Sequence, residues 1–515
     1  LTLYAENGVI TLTGSAGGNF GSVTAFGSIN AKTATAAKNI SFNNGLSLTG
    51  TADNFISAGG TIAFINNLNQ SSTGKIYLIA DNTGTGTGTV TFTGGIIIST
   101  GAIDIYYNPN TFGVQDTIYS GSGAATKYMW IVMLGGASDT TTRSLASLSN
   151  GGASGSENYA LAKDIDAAAT VGWNFNSQYF NGFIPINFSG KFDGMGHVIS
   201  NLYINRPVNF ANGLFGSVSF FGMPNSFIRN VGVVNANITG NSSTGALIGS
   251  LFPYNNLTVS VYNVFSTGVV SISNIGTGSS SWVGDINSTP AATISYGGLI
   301  GFSAASISDS WSSVTVYAPT ANNVGGLVGE FRNNNSFAPV ISNSYSTGNV
   351  MAWGNAGGLV GAMTDTTGLD AQITNSYSTG NVNVIYNNAG GLVGQIVRGT
   401  ITKTYSTGSV AGRVNVGGLI GQNQANGSVS ISFFDTETSG RSTAVGSNAG
   451  TVTNVTGGCY TGSSCANGGT ANLSASATFS NSPYSWDIGT TTSNTWVIFA
   501  GKTRPMLGTE YTSNS

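Results

Sequence analysis

The sequence predicts an all-β protein, a parallel β-helix assembled from glycine-punctuated repeats, and three observations carry that prediction. A glycine-bracketed apolar core recurs between residues 213 and 421. Self-similarity at a near-fixed period marks a solenoid, because each repeat alone buries too little core and gains stability by stacking on its neighbours. The spans between cores alternate apolar and polar residues, and glycine interrupts them too often for helical turns to survive. Val340-Ile341-Ser342-Asn343-Ser344-Tyr345 is one such span. Composition agrees: Gly is 75 of 515 residues and charged residues only 7%, while 40% are hydrophobic, so the chain can fold with Asn, Ser and Thr supplying its turns.

The repeated core reads Gly213-Leu-Phe-Gly216, Gly245-Ala-Leu-Ile-Gly249, Gly297-Gly-Leu-Ile-Gly301, Gly325-Gly-Leu-Val-Gly329, Gly357-Gly-Leu-Val-Gly361, Gly390-Gly-Leu-Val-Gly394 and Gly417-Gly-Leu-Ile-Gly421. Its leucines, Leu214, Leu247, Leu299, Leu327, Leu359, Leu392 and Leu419, are expected to point inward. The glycines are expected at corners, where positive φ or close approach between coils excludes a side chain. From Leu327 through Leu359 and Leu392 to Leu419 the steps are 32, 33 and 27, so loops of variable length hang on a constant frame. A second phrase lies between the cores: Tyr345-Ser-Thr-Gly348, Tyr377-Ser-Thr-Gly380 and Tyr405-Ser-Thr-Gly408, with looser copies at Phe265 and Trp311. Its tyrosines form a regular series, either an exposed ladder for stacking on sugar rings or an internal stack between coils.

Four segments follow in order. Residues 1–126 carry a shorter rhythm of alternating strands, seen in Ile10-Thr-Leu12, Ile40-Ser-Phe42, Leu46-Ser-Leu48, Ile62-Ala-Phe64, Val90-Thr-Phe92 and Ile103-Asp-Ile105, which again reads as β-helix coils. Residues 127–210 interrupt it. There Thr142-Arg-Ser-Leu-Ala-Ser-Leu148 spaces its leucines three apart without glycine, which predicts a short helix in a lateral insertion before the strand pattern resumes. Residues 211–432 hold the repeats, and 433–515 form a different ending with both cysteines. Cys459 and Cys465 sit six apart in a glycine-rich stretch, where a disulfide closes with little strain; two separate thiols are the alternative.

Charge and hydropathy exclude other classes. Net charge is −3 and the 16 Lys and Arg are scattered, leaving no basic stripe for a nucleic acid. Apolar runs such as Met129–Leu134 fall far short of the ~20 residues that span a bilayer. The chain opens on Leu1 in a strand-like phrase, which reads as the interior of a longer precursor.

Parallel β-helices also host polysaccharide-cleaving enzymes, which need clustered carboxylates with a base. Asp164 and Asp166, two apart, would face one way on a strand, and Asp193 and His197 could bring a base near them. Asp193-Gly194 is equally a turn signal, and turn chemistry is the preferred reading. A calcium site from Asp164 and Asp166 matches no EF-hand or glycine-rich calcium repeat. No catalytic, cofactor or metal residue is expected.

The segment Asn158–Asn174 (NYALAKDIDAAATVGWN), the stretch FSGKFDGMGHVISNLYINRP, the copies of GGLVG and NSYSTGNV, and the endings FFDTETSG and SWDIGTTTSNTWVIFAGKTRPML occur in order. In that order they resemble the GLUG-repeat portion of filamentous-haemagglutinin-like bacterial exoproteins, the large adhesins of two-partner secretion. The resemblance covers most of the chain. It implies a right-handed parallel β-helix with small lateral insertions, export through an outer-membrane pore, and adhesion or biofilm-matrix assembly at the bacterial surface. Glycan, matrix polymer or a host or neighbouring cell would be the partner. It also likens Cys459 and Cys465 to a carboxy-terminal loop that tethers some such proteins to their pore, although a local staple is preferred. A self-assembling extracellular filament is the alternative role, with a polysaccharide-active enzyme third.

Overall fold

The computed structural model describes residues 9–513 except 15–17, 21–22, 26–27, 34–36, 44–45, 49–50, 71–72, 94–95, 99–100, 117–123, 153, 220–224, 254–258, 273–293, 334–336, 366–367 and 461–464. The fold is a parallel β-helix, with 51% strand and 6% helix. Two compact units divide the chain: residues 1–165 with 190–198, and residues 166–189 with 199–515. The division falls inside the 127–210 segment rather than at either of its ends. No described helix is long and apolar enough to cross a membrane.

In the first unit each coil contributes three short strands, and like strands of successive coils pair in parallel. Ile40–Phe42 pairs with Ile62–Phe64, which pairs with Val90–Phe92. A second face stacks Leu46–Leu48 on Leu68–Gln70. A third aligns Ala31, Ile56, Leu78 and Ile105, all fully buried. Because side chains alternate across a strand, a period-two sequence sends one set inward at every rung, and in-register stacking makes each set a column. Phe42, Phe64 and Phe92 stack in this way, with centroids 5.0 and 4.9 Å apart.

A lateral insertion leaves this unit after the strand Ala124–Ile131. Its helix is Leu145–Ser149, with the Ser144 hydroxyl capping the N-terminus by accepting from the Ser147 amide at 3.0 Å. Asp139 braces the preceding turn. Burial would raise its pKa, but hydrogen bonds from Thr142, Thr141 and Ser144 outweigh that and hold it at about 2.

The second unit contains the leucine repeats. A narrow sheet of seven parallel strands, from Ala211–Asn212 to Val414–Gly417, forms one side. All seven repeat leucines are completely buried. Their backbones also tie the coils: the Leu327 amide donates to Leu359, Leu359 to Leu392 and Leu392 to Leu419, at 2.8–2.9 Å. The repeat glycines do not adopt positive φ, contrary to one of the two roles expected of them. They are needed for close approach. A Cβ at Gly358 would collide with the carbonyl oxygen of Gly391 and with Ser378.

The left-handed corner belongs to a different column. Asn230, Asn263, Asp309, Asn343, Asn375, Lys403, Ile431 and Asn454 all have φ between 44° and 60°, one per coil. Asn and Asp tolerate this conformation because their short side chains hydrogen-bond locally. Here they also bond along the column, Asn263 Nδ2 donating to Asn230 at 2.8 Å and Asn343 Nδ2 to Asp309 at 3.2 Å.

Candidate functional site

Six of the eight corner residues, from Asn263 to Ile431, stand two positions before a ring that enters an aromatic column. Phe265, Trp311, Tyr345, Tyr377, Tyr405 and Phe433 lie in continuous parallel register. From Phe265 to Tyr405 the rings stack at 4.7, 5.8, 4.9 and 4.8 Å, tilted by no more than 9°. Their faces are therefore turned to one another, and a sugar ring could meet only their edges. The ladder serves the coils.

The ending of the chain covers the lower rungs. Trp496 packs on Tyr377 and Tyr405 at 6.1 and 5.8 Å, while Phe479 and Trp486 pack on Phe433 at 4.8 and 5.7 Å. Two charged residues lock this cover. Arg504 lies 4.4 Å above the Tyr377 ring, donates to the Tyr405 hydroxyl at 2.8 Å and pairs with Glu510 at 3.0 Å. The Tyr377 hydroxyl donates to Glu510 at 2.7 Å, and that of Tyr405 to the Pro505 carbonyl at 2.6 Å. Burial pushes both hydroxyls above the ordinary tyrosine range, so each remains a neutral donor. Sequence reading gave no role to Arg504 or Glu510, since their partners lie about a hundred residues away.

A different surface is left open. The short 3-10 helix Ala168–Gly172 exposes Val171, and the loop from it to the strand Ile186–Phe188 exposes Phe175 and Phe180, with Phe175 61% exposed. The two phenylalanine rings lie 5.0 Å apart. A second loop exposes Val208 and Phe210, the latter at 85%. The Asn205 amide donates to the Asn181 carbonyl at 3.0 Å, and Gly182 bridges to Ile204, so the loops are neighbours. Residues 167–190 contain no charged side chain, while Asn174, Asn176, Gln178 and Asn181 surround the phenylalanines in sequence. Rings beside neutral amides can stack on and hydrogen-bond to an uncharged polyhydroxylated ligand. Alternation counts miss this site because it departs from the repeat, and the clue in the sequence was NFNSQYFN, an aromatic-amide cluster with no strand partner.

The carboxylates are dispersed by role. His197 Nδ1 lies 3.1 Å from Asp164, whose side chain is 69% exposed, so the pair meets bulk water. Asp193 is buried, accepting from the Tyr106 hydroxyl at 3.0 Å and from the Met195 amide at 2.9 Å, as a turn carboxylate does. Asp166 accepts from Asn201 and Ala168, and the Asn201 bond leads in lowering its pKa. Cys459 and Cys465 form a disulfide, with Cα atoms 5.4 Å apart.

No family model matches the chain. A crystal structure from Bacteroides ovatus, described provisionally as an immunoglobulin A1 protease, aligns over 58% of this chain and 77% of its own, at 21% identity and a TM-score of 0.36. A stretch of 159 residues, 30% of the chain, is 35% identical to halomucin of Haloquadratum walsbyi and spans 2% of the length of that relative.

Proposed function

We propose that the chain is part of a secreted surface adhesin or matrix scaffold, a β-helix that holds a glycan-binding loop pair in place. One observation carries this reading: Phe175, Phe180 and Phe210 stand exposed among neutral amides on two neighbouring irregular loops, Phe210 at 85%. Exposed apolar clusters mark interaction sites, and on a rigid coil the loops are preorganised. The likeness to halomucin, a surface protein, supports an extracellular setting. Membership of the filamentous-haemagglutinin-like exoproteins and passage through an outer-membrane pore belong to the same proposal. So does the absence of catalysis, which the open setting of Asp164 and His197 supports.

The test is binding of the whole chain to immobilised neutral polysaccharides and to intact cells. Substituting Phe175→Ser, Phe180→Ser and Phe210→Ser together should weaken retention about tenfold or more, at ~0.5–1.5 kcal/mol for each stacked ring, and leave the melting temperature unchanged. Retention unaffected by the triple substitution refutes the loop site, and shortened polysaccharide chains after incubation would replace the adhesin reading with an enzyme.

A further inference from the structure

The inward columns of the second unit open at its last coil. One column runs Ile307, Ile341, Ile373, Ile401, Val429 and Val452 in parallel register. Another runs Ile300, Val328, Val360, Val393, Ile420 and Val445. In both, the first five side chains are completely buried. The sixth is not: Val452 is 37% exposed and Val445 half-buried. Register makes both valines core residues, so what they lack is a coil beneath them.

Pairing shows the same gap. The strand Val445–Asn448 pairs with Ile420–Asp435 on one side, and no described strand pairs with its other side. The strand Thr451–Cys459 is covered on its far side only from Gly457 to Cys459, by residues 470–473. After the disulfide the chain is spent on the aromatic ladder. Residues 445–456 thus present a sheet edge with unsatisfied hydrogen-bonding capacity above an open core.

Such edges are ordinarily blocked by charge or proline. Here residues 442–482 contain no Asp, Glu, Lys, Arg, His or Pro, and the edge strand reads Thr-Val-Thr-Asn-Val-Thr. We propose that this edge is an interface between two copies of the chain, in which residues 451–453, the straight stretch before the Asn454 corner, pair antiparallel with their twin about a twofold axis at Val452. A twin is the partner this surface fits. Two identical neutral edges meet without repulsion, and each contributes the valines that close the other's core, which is the self-complementarity an isologous contact requires. This interface goes beyond the glycan-binding reading and does not depend on it.

Sedimentation equilibrium of the whole chain from low to high micromolar concentration tests it. The expected result is a monomer–dimer equilibrium indifferent to the Phe175, Phe180 and Phe210 substitutions. Val452→Lys, which places two cations against each other at the axis, should raise the dissociation constant about tenfold or more. Thr453→Lys, on an already exposed side chain, repeats the test with less risk to the fold and should weaken pairing likewise. Amides of 451–453 should gain hydrogen-exchange protection as concentration rises. A chain monomeric throughout, an oligomer untouched by both lysines, or edge amides already protected in the monomer overturns the proposal.

Discussion

Eight residues, one in each of eight coils, hold the left-handed corner, and they are not equally suited to it. Six are Asn or Asp, but Lys403 and Ile431 occupy the same conformation at φ 53° and 51°. Left-handed φ costs an ordinary L-residue about 1–2 kcal/mol, which asparagine partly recovers through local hydrogen bonds. Ile431 is retained by what covers it, since it packs on the aromatic cluster and its carbonyl accepts from the Trp486 indole at 3.3 Å. Lys403 has less in return, a single exposed bond from its ammonium to the Ser485 carbonyl. Lys403→Asn should therefore stabilise the protein by roughly 0.5–1 kcal/mol in urea unfolding, and a loss of stability would show that the corner conformation is not what limits this position. The column was written in the sequence two places before each repeat aromatic, as Asn343 before Tyr345 and Asn375 before Tyr377. It is hard to read from sequence because positive φ points first to glycine, and none of the eight corner residues is a glycine.

The carboxy-terminal cover is an element made by tertiary contacts. Its strands are two residues long, and its order depends on Trp486, Trp496 and the Arg504–Glu510 pair meeting the ladder. Removing Arg504 takes away the cation facing Glu510, a bond to Tyr405 and a contact over Tyr377 at once. Arg504→Ala should cost about 2–4 kcal/mol, the lower part of the range for buried pairs because the arginine side chain is 29% exposed. The indole emission of Trp486 and Trp496 should shift to the red as the cover loosens, while the far-ultraviolet spectrum of the coils persists. An unshifted emission would mean that aromatic packing alone holds the segment. The short helix of the insertion behaved oppositely, since leucine spacing and a capping serine lay within seven residues and the local sequence sufficed to place it.

For the whole molecule, cohesion comes from stacked apolar columns and backbone ladders rather than from charge. With 16 basic and 19 acidic residues in 515, long-range electrostatics have little to act on. Raising NaCl from about 0.05 to 0.3 M should move the melting temperature by less than about 2 °C, and a larger shift, read by calorimetry, would reveal ion pairs of unexpected weight. The sequence by itself determined that the chain coils: alternation at period two and leucine at every repeat admit one economical arrangement, inward columns in register, because burial and backbone pairing are both satisfied rung by rung. Only the tertiary structure decided what the repeats are spent on. The tyrosine faces close on each other instead of on a ligand, a segment from a hundred residues away seals the lower ladder, the phenylalanines of an irregular loop remain in water, and the last coil keeps an open edge. Those outcomes depend on which surfaces meet across large sequence separations, and periodicity, a local property, carries no record of them.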